Sequence, residues 1–299
     1  MKIDVLCIGH AAYDLTFSVP YHPQADEKMF ATEYVGCGGG PAANAASTVQ
    51  KLGGQAAFAG YLGQDSFGEF HLAEMKEMGV DVSLVVRGVS PTPLSVILAK
   101  PEGSRSLVNY RGGTKPLPKE AVRFDAVYPQ VVLFDGWEPE VSLQWVERSS
   151  GGQALTVLDA GSVHRGTELL LNRVDFVVAS EKFGRQYTGT DDMATAVSEL
   201  GKLAKTAVIT LGDRGLIWQR GTESGALPAY PVQAIDSTGA GDTFHGAFAY
   251  ALSQKRPWLD VLRFSSAAAA LCCTQYGARL GIPTRREVAE FQSQFAGCF

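Results

Sequence analysis

The sequence is poor in cysteine and in positive charge, and each shortage argues against a class of protein. Its 299 residues include five cysteines, an odd number without Cys-x-x-Cys spacing, which argues against a disulfide framework or a zinc site. The five histidines also lack metal-ligand spacing. The net charge is −5 and no lysine or arginine run occurs, so we expect neither nucleic acid nor a membrane surface as a partner.

Long hydrophobic runs are absent too. The longest late apolar stretch, Ala267 to Cys273, is far shorter than a membrane span. The first residues contain Asp4 and no small-residue cleavage pattern, so they predict a strand and not a signal peptide. There is no repeat, low-complexity tract or Gly/Ser linker. With 45% hydrophobic residues, the chain predicts one large cytoplasmic domain with buried, reduced thiols, acting on small substrates.

Strand and helix patterns alternate along most of the chain. Predicted strands cover residues 3–9, 15–20, 30–35, 56–61, 81–86, 94–99, 106–110, 131–134, 155–158, 175–179 and 207–211. Predicted helices run to about 52 and cover 67–78, 138–149, 180–189, 191–203, 240–253, 257–274 and 284–295. Such alternation favours an α/β fold, a mostly parallel sheet with helices on both faces. The strands within 12–35 and 91–111 interrupt it and predict a small inserted sheet.

A glycine-rich turn near the carboxyl terminus carries the strongest chemical signal. Gly239, Ala240 and Gly241 precede an apolar helical pattern, so bare N–H groups at the helix start form an anion site. Asp242 lies in the first helical turn, beside that site. A carboxylate base next to a phosphate site is the arrangement for phosphoryl transfer to a hydroxyl. The same residues also fit a simple helix cap.

A second glycine-rich stretch, Gly36 to Ser47, runs into an alanine-rich helix. Asp14 follows the first strand, at the sheet edge where ligands bind in parallel sheets, and Asn44 is the polar residue among the alanines. Either residue also fits a structural role, as a turn former or a solvent-facing amide. Gly38-x-Gly40-x-x-Ala43 matches a dinucleotide fingerprint, but the acid expected at the end of the next strand is missing.

A predicted hairpin across residues 101–105 ends at Asn109 and Arg111. A guanidinium is well suited to hold an anionic substrate or a phosphate, although surface arginines are common.

These two glycine-rich stretches resemble the signatures of the ribokinase-like, or PfkB, family of carbohydrate kinases, and the similarity extends over nearly the whole chain. The resemblance implies a three-layer α/β sandwich with a small β lid. It implies that Asp242 deprotonates a sugar hydroxyl attacking the γ-phosphate of ATP, with Gly239, Ala240 and Gly241 as the anion hole. The positions that match the family's sugar site, together with the segment beside the lid, are Asp14, Gly39, Gly40, Asn44, Asn109 and Arg111.

The resemblance also implies ATP and Mg²⁺ as cofactors, and K⁺ as a further one. The nucleotide loop matches at Thr210, Gly212 and Gly215, and the monovalent-cation positions match at Asp236 and Thr238. Where the family commonly has Asn-x-x-Glu, this chain has Ser180-Glu181-Lys182-Phe183. The resemblance therefore assigns Ser180 and Glu181 to the nucleotide side, with Glu181 reaching Mg²⁺ through water.

The substrate stays open at this stage. The stretches Asn109-Tyr110 and Gly277 to Pro283 look most like the ketohexokinase and sulfofructose kinase branch, so a ketohexose is the first choice. Sulfofructose kinases have an arginine where this chain has Gly136-Trp137, which argues against a sulfonated sugar. Ribose, 2-keto-3-deoxygluconate and nucleosides are alternatives. A non-catalytic sugar-binding protein and a nicotinamide oxidoreductase are more distant ones, and the family suggests a homodimer through the lid.

Overall fold

Two sheets and nine helices make up the part of the chain that the computed structural model describes, residues 2–100, 104–148 and 154–295. The strands are β1 (Lys2–Ile8), β2 (Ala12–Ser18), β3 (Glu33–Gly39), β4 (Ala56–Gly63), β5 (Asp81–Gly88), β6 (Leu94–Ala99), β7 (Arg105–Tyr110), β8 (Tyr128–Phe134), β9 (Leu155–Ala160), β10 (Phe176–Ser180), β11 (Thr206–Thr210), β12 (Leu216–Arg220) and β13 (Glu223–Leu227). The helices are α1 (Pro41–Lys51), α2 (Ser66–Glu77), α3 (Pro139–Arg148), α4 (Arg165–Leu170), α5 (Glu181–Thr188), α6 (Met193–Gly201), α7 (Ala240–Ser253), α8 (Trp258–Cys272) and α9 (Arg285–Ser293).

The large sheet has the strand order β13-β12-β11-β10-β9-β8-β1-β4-β5. Every pairing from β11 through β5 is parallel, whereas β12 runs antiparallel to both β11 and β13. The tight turn at Gly212–Arg214 reverses the chain there. Because parallel strands align their carboxyl ends, the loops that follow them meet along one edge of the sheet.

Helices cover both faces of this sheet. One apolar core joins residues such as Val5 and Cys7 of β1 to α1, α7 and α8, and the other joins Leu6 and Ile8 to α3 through α6. Successive side chains of a strand point to opposite faces, so a strand that is apolar throughout is buried on both sides. This arrangement is the three-layer α/β sandwich expected from the sequence.

The second sheet has the order β3-β2-β6-β7 and is mixed. Strand β2 pairs antiparallel with β3 and parallel with β6, and β6 forms the predicted hairpin with β7. Most of the hairpin's turn, residues 101–103, lies outside the described residues. That this sheet closes over a substrate as a lid stays a prediction.

Two strand boundaries differ from the sequence prediction. The strand expected at 30–35 is β3, so Gly36 to Gly39 form strand and not loop, paired with Ala12 to Leu15 of β2. The strand expected at 15–20 begins at Ala12. Glycine is normally unfavourable in strands, but here the Asp14 carboxyl group fills the space where a Gly39 side chain would lie, 2.2 Å from the ideal Cβ position.

No helix of the described chain is both long and apolar enough to cross a membrane. Cys7, Cys37 and Cys272 are buried free thiols and Cys273 is partly buried, whereas Cys298 lies outside the described residues. The predicted last residue of the helix at 138–149 lies outside them as well.

Candidate active site

Close packing of α1 against α7 brings the two glycine-rich stretches together. The inward face of α1 is largely alanine, and Gly246 of α7 lies so near that an added Cβ would be 2.6 Å from the Ala45 carbonyl oxygen. Only small residues allow this approach. As a result Nδ2 of Asn44 donates a 2.7 Å hydrogen bond to Oδ2 of Asp242, a residue 198 positions later. Asn44 is therefore buried and faces Asp242 instead of solvent.

The start of α7 has the geometry of an anion site. Gly239 caps the helix at φ +76°, a left-handed conformation, and an added Cβ would lie 2.6 Å from Cβ of Ala278. An added Cβ at Gly241 meets nothing within 4 Å among the described residues. The first N–H groups of a helix lack intrahelical partners, although the Ala240 N–H donates to the Ser237 carbonyl at 3.3 Å. Open space beside these donors can hold a phosphate.

A cavity of about 500 Å³ opens on one side of this helix start. Its lining is mostly apolar, with a few polar groups, as in sites for small organic ligands. The residues predicted for the nucleotide loop and the anion hole that line it are Thr210, Gly212, Gly215, Ala240 and Gly241. Gly36 to Gly39 lie instead in an antiparallel pair of the small sheet, so the dinucleotide fingerprint lacks the strand context it requires.

Asp14 lies on β2 of the small sheet and is 6% exposed. Burial raises the pKa of this carboxyl group to about 6, and the hydrogen bond from Ser95 opposes the rise. Asp242 is close enough to raise the pKa further and Arg279 close enough to lower it. Asp14 therefore belongs to the same electrostatic site as Asp242. Gly40 is the residue before α1, at φ +91°, and its sugar-binding role stays a prediction.

Asn109 and Arg111 lie farther out. Asn109 on β7 pairs with Ser95, which in turn pairs with Asp14, so the three occupy one row across the small sheet. Adjacent strands are about 4.8 Å apart, which places the Asn109 backbone roughly 10 Å from that of Asp14. The guanidinium of Arg111 lies 4.0 Å above the ring of Trp137. Neither side chain hydrogen-bonds to Asp14 or Asp242 among the described contacts.

The Ser180 and Glu181 side chains serve local structure. The Ser180 hydroxyl accepts from the Phe183 N–H at 3.0 Å, capping α5, and donates to the Gly161 carbonyl at 2.9 Å. The Glu181 carboxylate accepts from Arg185 and from Arg214. These two hydrogen bonds hold the pKa of Glu181 below its usual value.

Asp236 and Thr238 are buried in the loop before α7 and are hydrogen-bonded to each other. One oxygen of Asp236 accepts from the Thr238 N–H at 2.8 Å and from its hydroxyl at 2.6 Å. The other accepts from the Gly277 N–H at 2.9 Å, which fastens the loop to the segment after α8. Their proposed cation role is considered below.

Sequence reasoning missed two residues that organise the site. Asp135, after β8, accepts from the N–H groups of His10, Trp137 and Ala42, so it joins its own loop to the loop after β1 and to the start of α1. Arg279 is 3% exposed and donates to Oδ1 of Asn44 at 2.9 Å. The signal was an arginine among the small and apolar residues from Gly277 to Pro283.

Comparisons with known proteins identify the family and the fold. The family described as pfkB family carbohydrate kinase matches residues 2–285. A ribokinase of Haemophilus influenzae is 29% identical over 97% of this chain and 99% of its own, and fructokinase-1 of Oryza sativa subsp. japonica is 30% identical over 86% and 89%. The structure of Arabidopsis thaliana ribokinase complexed with ribose and ATP superposes with a TM-score of 0.82, at 27% identity, covering 97% and 99%. The protein belongs to the pfkB family of carbohydrate kinases.

Proposed function

We propose that the protein transfers the γ-phosphate of ATP to a hydroxyl group of a small sugar, with a ketohexose as the first choice. The observation that carries this proposal is the 2.7 Å contact between Asn44 and Asp242. Asp242 is near enough to the sugar-side residue Asp14 to raise its pKa, and Gly241, the residue before Asp242, lines the cavity. The ATP-bound ribokinase of similar fold supports a nucleotide in that cavity.

In this mechanism Asp242 accepts the proton of the sugar hydroxyl while the oxygen forms a bond to the γ-phosphorus. The bond from the γ-phosphorus to the oxygen that bridges it to ADP breaks, and ADP leaves with the electron pair of that bond. The N–H groups from Gly239 to Gly241 stabilise the charge that develops on the phosphoryl oxygens. Asp14 orients the sugar by accepting a hydrogen bond from a second hydroxyl group.

Mg²⁺ bound to the nucleotide phosphates would neutralise part of their charge. No three His, Cys, Asp and Glu side chains of the described chain are grouped to hold a metal, but Mg²⁺ is usually held largely by water and phosphate. The family's Asn-x-x-Glu motif is altered here, with Ser180 and Phe183 at its two positions. Glu181 is the remaining carboxylate of this stretch and is therefore our candidate for a water-mediated contact with Mg²⁺. Its two arginine partners compete for the same oxygens, so we expect Glu181→Gln to change the Mg²⁺ requirement by less than about tenfold.

Asp236 and Thr238 remain candidates for a monovalent-cation site, which a comparison of activity in K⁺ and in a tetramethylammonium salt would test. The lid offers a dimer surface, because several of its apolar side chains are exposed. They are Tyr34, Leu107, Val108 and Tyr110. We propose a homodimer through this sheet, which light scattering of the wild type and of Val108→Asp would test.

The rice fructokinase supports the ketohexose and the Haemophilus ribokinase supports ribose as the alternative. A second candidate class, acidic sugars, is favoured by a small cavity lined by Arg111, Lys115 and Trp137. Neither cation forms an ion pair with another described residue. Glu138 lines the same cavity, and burial raises the pKa of its carboxyl group to about 8, so the cavity is net positive at neutral pH.

A substrate panel tests the proposal. ADP release would be measured with fructose, ribose, 2-keto-3-deoxygluconate, sulfofructose and adenosine, for the wild type and for Asp242→Asn. We expect one sugar to support turnover and the variant to lose activity by about 10²–10⁴-fold, the usual contribution of a general base. Equal ADP release by both proteins with every sugar would show that the catalytic assignment is wrong.

A further inference from the structure

Arg279 is a fully enclosed cation in the centre of the site. It lies between α8 and α9, and its guanidinium reaches residues of α1 and α2. Nε donates to Oδ1 of Asn44 at 2.9 Å, and Nη2 is 2.7 Å from Nε2 of His71. Nη1 is 3.7 Å from Oε1 of Glu74. An arginine is seldom fully buried unless it is paired, and here its nitrogen atoms are paired with three different side chains.

The donor pattern of Arg279 fixes the orientation of Asn44. A guanidinium has five N–H donors and no acceptor, so the atom of Asn44 that faces it must be the carbonyl oxygen. The NH₂ group of Asn44 then points to Asp242, at 2.7 Å. The amide group of Asn44 thereby holds Oδ2 of Asp242 in one position, and so orients the carboxyl group that would act as the base.

The surrounding charges support the same role. Burial lowers the pKa of Arg279, but Glu74, Cys37, Asp14 and Asp242 favour the charged form. His71 faces the guanidinium with Nε2, which must accept, so its ring is neutral. Burial and Arg279 indeed place the pKa of His71 well below its usual value. One enclosed cation thus offsets several carboxylates that meet at the reacting centre.

We propose that Arg279 is a positioning residue for phosphoryl transfer, acting through the amide group of Asn44 to fix the orientation of the Asp242 carboxyl group. The proposal rests on the kinase function inferred above. It differs from a purely structural role, in which Arg279 would only fasten the segment after α8 to α2.

A double-mutant cycle separates the two roles. We expect Arg279→Met to lower kcat by about 10–100-fold with a nucleotide KM within about twofold of the wild type, because Arg279 does not line the nucleotide cavity. In an Asn44→Ala background the same substitution should lower kcat by less than about threefold. Equal losses in both backgrounds, or an unchanged kcat for Arg279→Met, would overturn the proposal.

Two further variants guard against loss of folding. Arg279→Lys keeps the charge but lacks the planar fork, so it should lose roughly 3–10-fold in kcat. Arg285→Met removes an exposed arginine of α9 and should match the wild type in kcat and melting temperature.

A measurement without sugar keeps this inference separate from the proposed function. In ¹⁵N-labelled protein, the side-chain NH₂ signal of Asn44 is identified by its loss in Asn44→Ala. We expect its two proton shifts to be widely separated in the wild type and to converge in Arg279→Lys and Arg279→Met, because the amide is no longer fixed. Unchanged shifts in both would refute the positioning role. A panel in which no sugar is phosphorylated would instead reject the kinase function and leave this result standing.

Discussion

The helix start at Gly239 to Asp242 and the sugar-side face of the small sheet are built in different ways. The helix start is enclosed by α1 and by the segment containing Ala278 and Arg279. An added Cβ at Gly239 would lie 2.6 Å from Cβ of Ala278, and Asn44 donates a 2.7 Å hydrogen bond to the Asp242 carboxylate. On the small sheet Asp14 is buried, but Asn109 is exposed and Arg111 is only half-buried. On the proposed function, the reaction would depend on close packing that tolerates little change. The choice of sugar would depend on more exposed positions, where substitutions cost less stability.

Among the substitutions that compare these two regions, Gly241→Ala should produce the largest effect. A methyl group there meets no protein atom within 4 Å among the described residues, so the melting temperature should stay within about 2 °C. The methyl group would enter the space proposed for the phosphate, and we expect kcat to fall by about 10²–10³-fold, comparable to losing an anion-hole donor. Steady-state kinetics and a thermal melt check both. A folded variant with wild-type kcat would show that the phosphate lies elsewhere.

Asp14→Asn comes next and concerns the sugar side. Removing one charge-assisted hydrogen bond should raise the sugar KM by about 10–100-fold and leave the nucleotide KM unchanged. Initial rates with either substrate varied give the two constants. An equal rise in the sugar KM and the nucleotide KM would show that Asp14 does not act on the sugar alone.

The sugar KM should also depend on pH. Above about pH 6 Asp14 is ionised and accepts a hydroxyl, and below that pH it is protonated, so the sugar KM should rise about tenfold per unit of further acidification. Ser95→Ala removes the hydrogen bond that lowers this pKa, so the inflection should move to higher pH. The nucleotide KM is the internal control. Since the folded chain holds this proton more tightly than the unfolded chain, Asp14 makes the free energy of unfolding fall as pH rises from about 4 to about 6.

Arg111→Gln should have the smallest effect on a neutral sugar, about twofold in kcat/KM, because Arg111 contacts Trp137 and not the central carboxylates. With an acidic sugar the loss should exceed about tenfold. Arg123→Gln, which removes an exposed arginine outside both cavities, is the matched control. A hundredfold loss of kcat/KM with a neutral sugar would show that Arg111 acts at the reacting centre. The contrast between the helix start and the small sheet would then be wrong.

Local patterns predicted the long elements well. The helices at α1, α2, α7 and α8 and the parallel core strands appear where apolar periodicity placed them. Helix α4 and strand β13 were not predicted. The sequence of β13, Glu-Ser-Gly-Ala-Leu, has no β-branched residue, and the strand forms because β12 offers an open edge, with Leu227 opposite Leu216. Short elements of this kind depend on their neighbours more than on their own composition.

The sequence by itself determined the fold class and the family, because glycine spacing and apolar periodicity are local properties. It also predicts the base and its anion site. The tertiary structure decided which polar groups meet. Asn44 and Arg279 are 235 positions apart, and the burial of Arg279 depends on partners from α1 and α2 that no local pattern reveals. The tertiary structure also revealed that the Glu181 carboxylate accepts hydrogen bonds from two arginines. The sequence does not predict the bond from Arg214, because the fold brings this residue beside Glu181 from 33 positions away. The roles of Arg279 and Glu181 depend on the charged and polar groups around them, and only the fold brings those groups together.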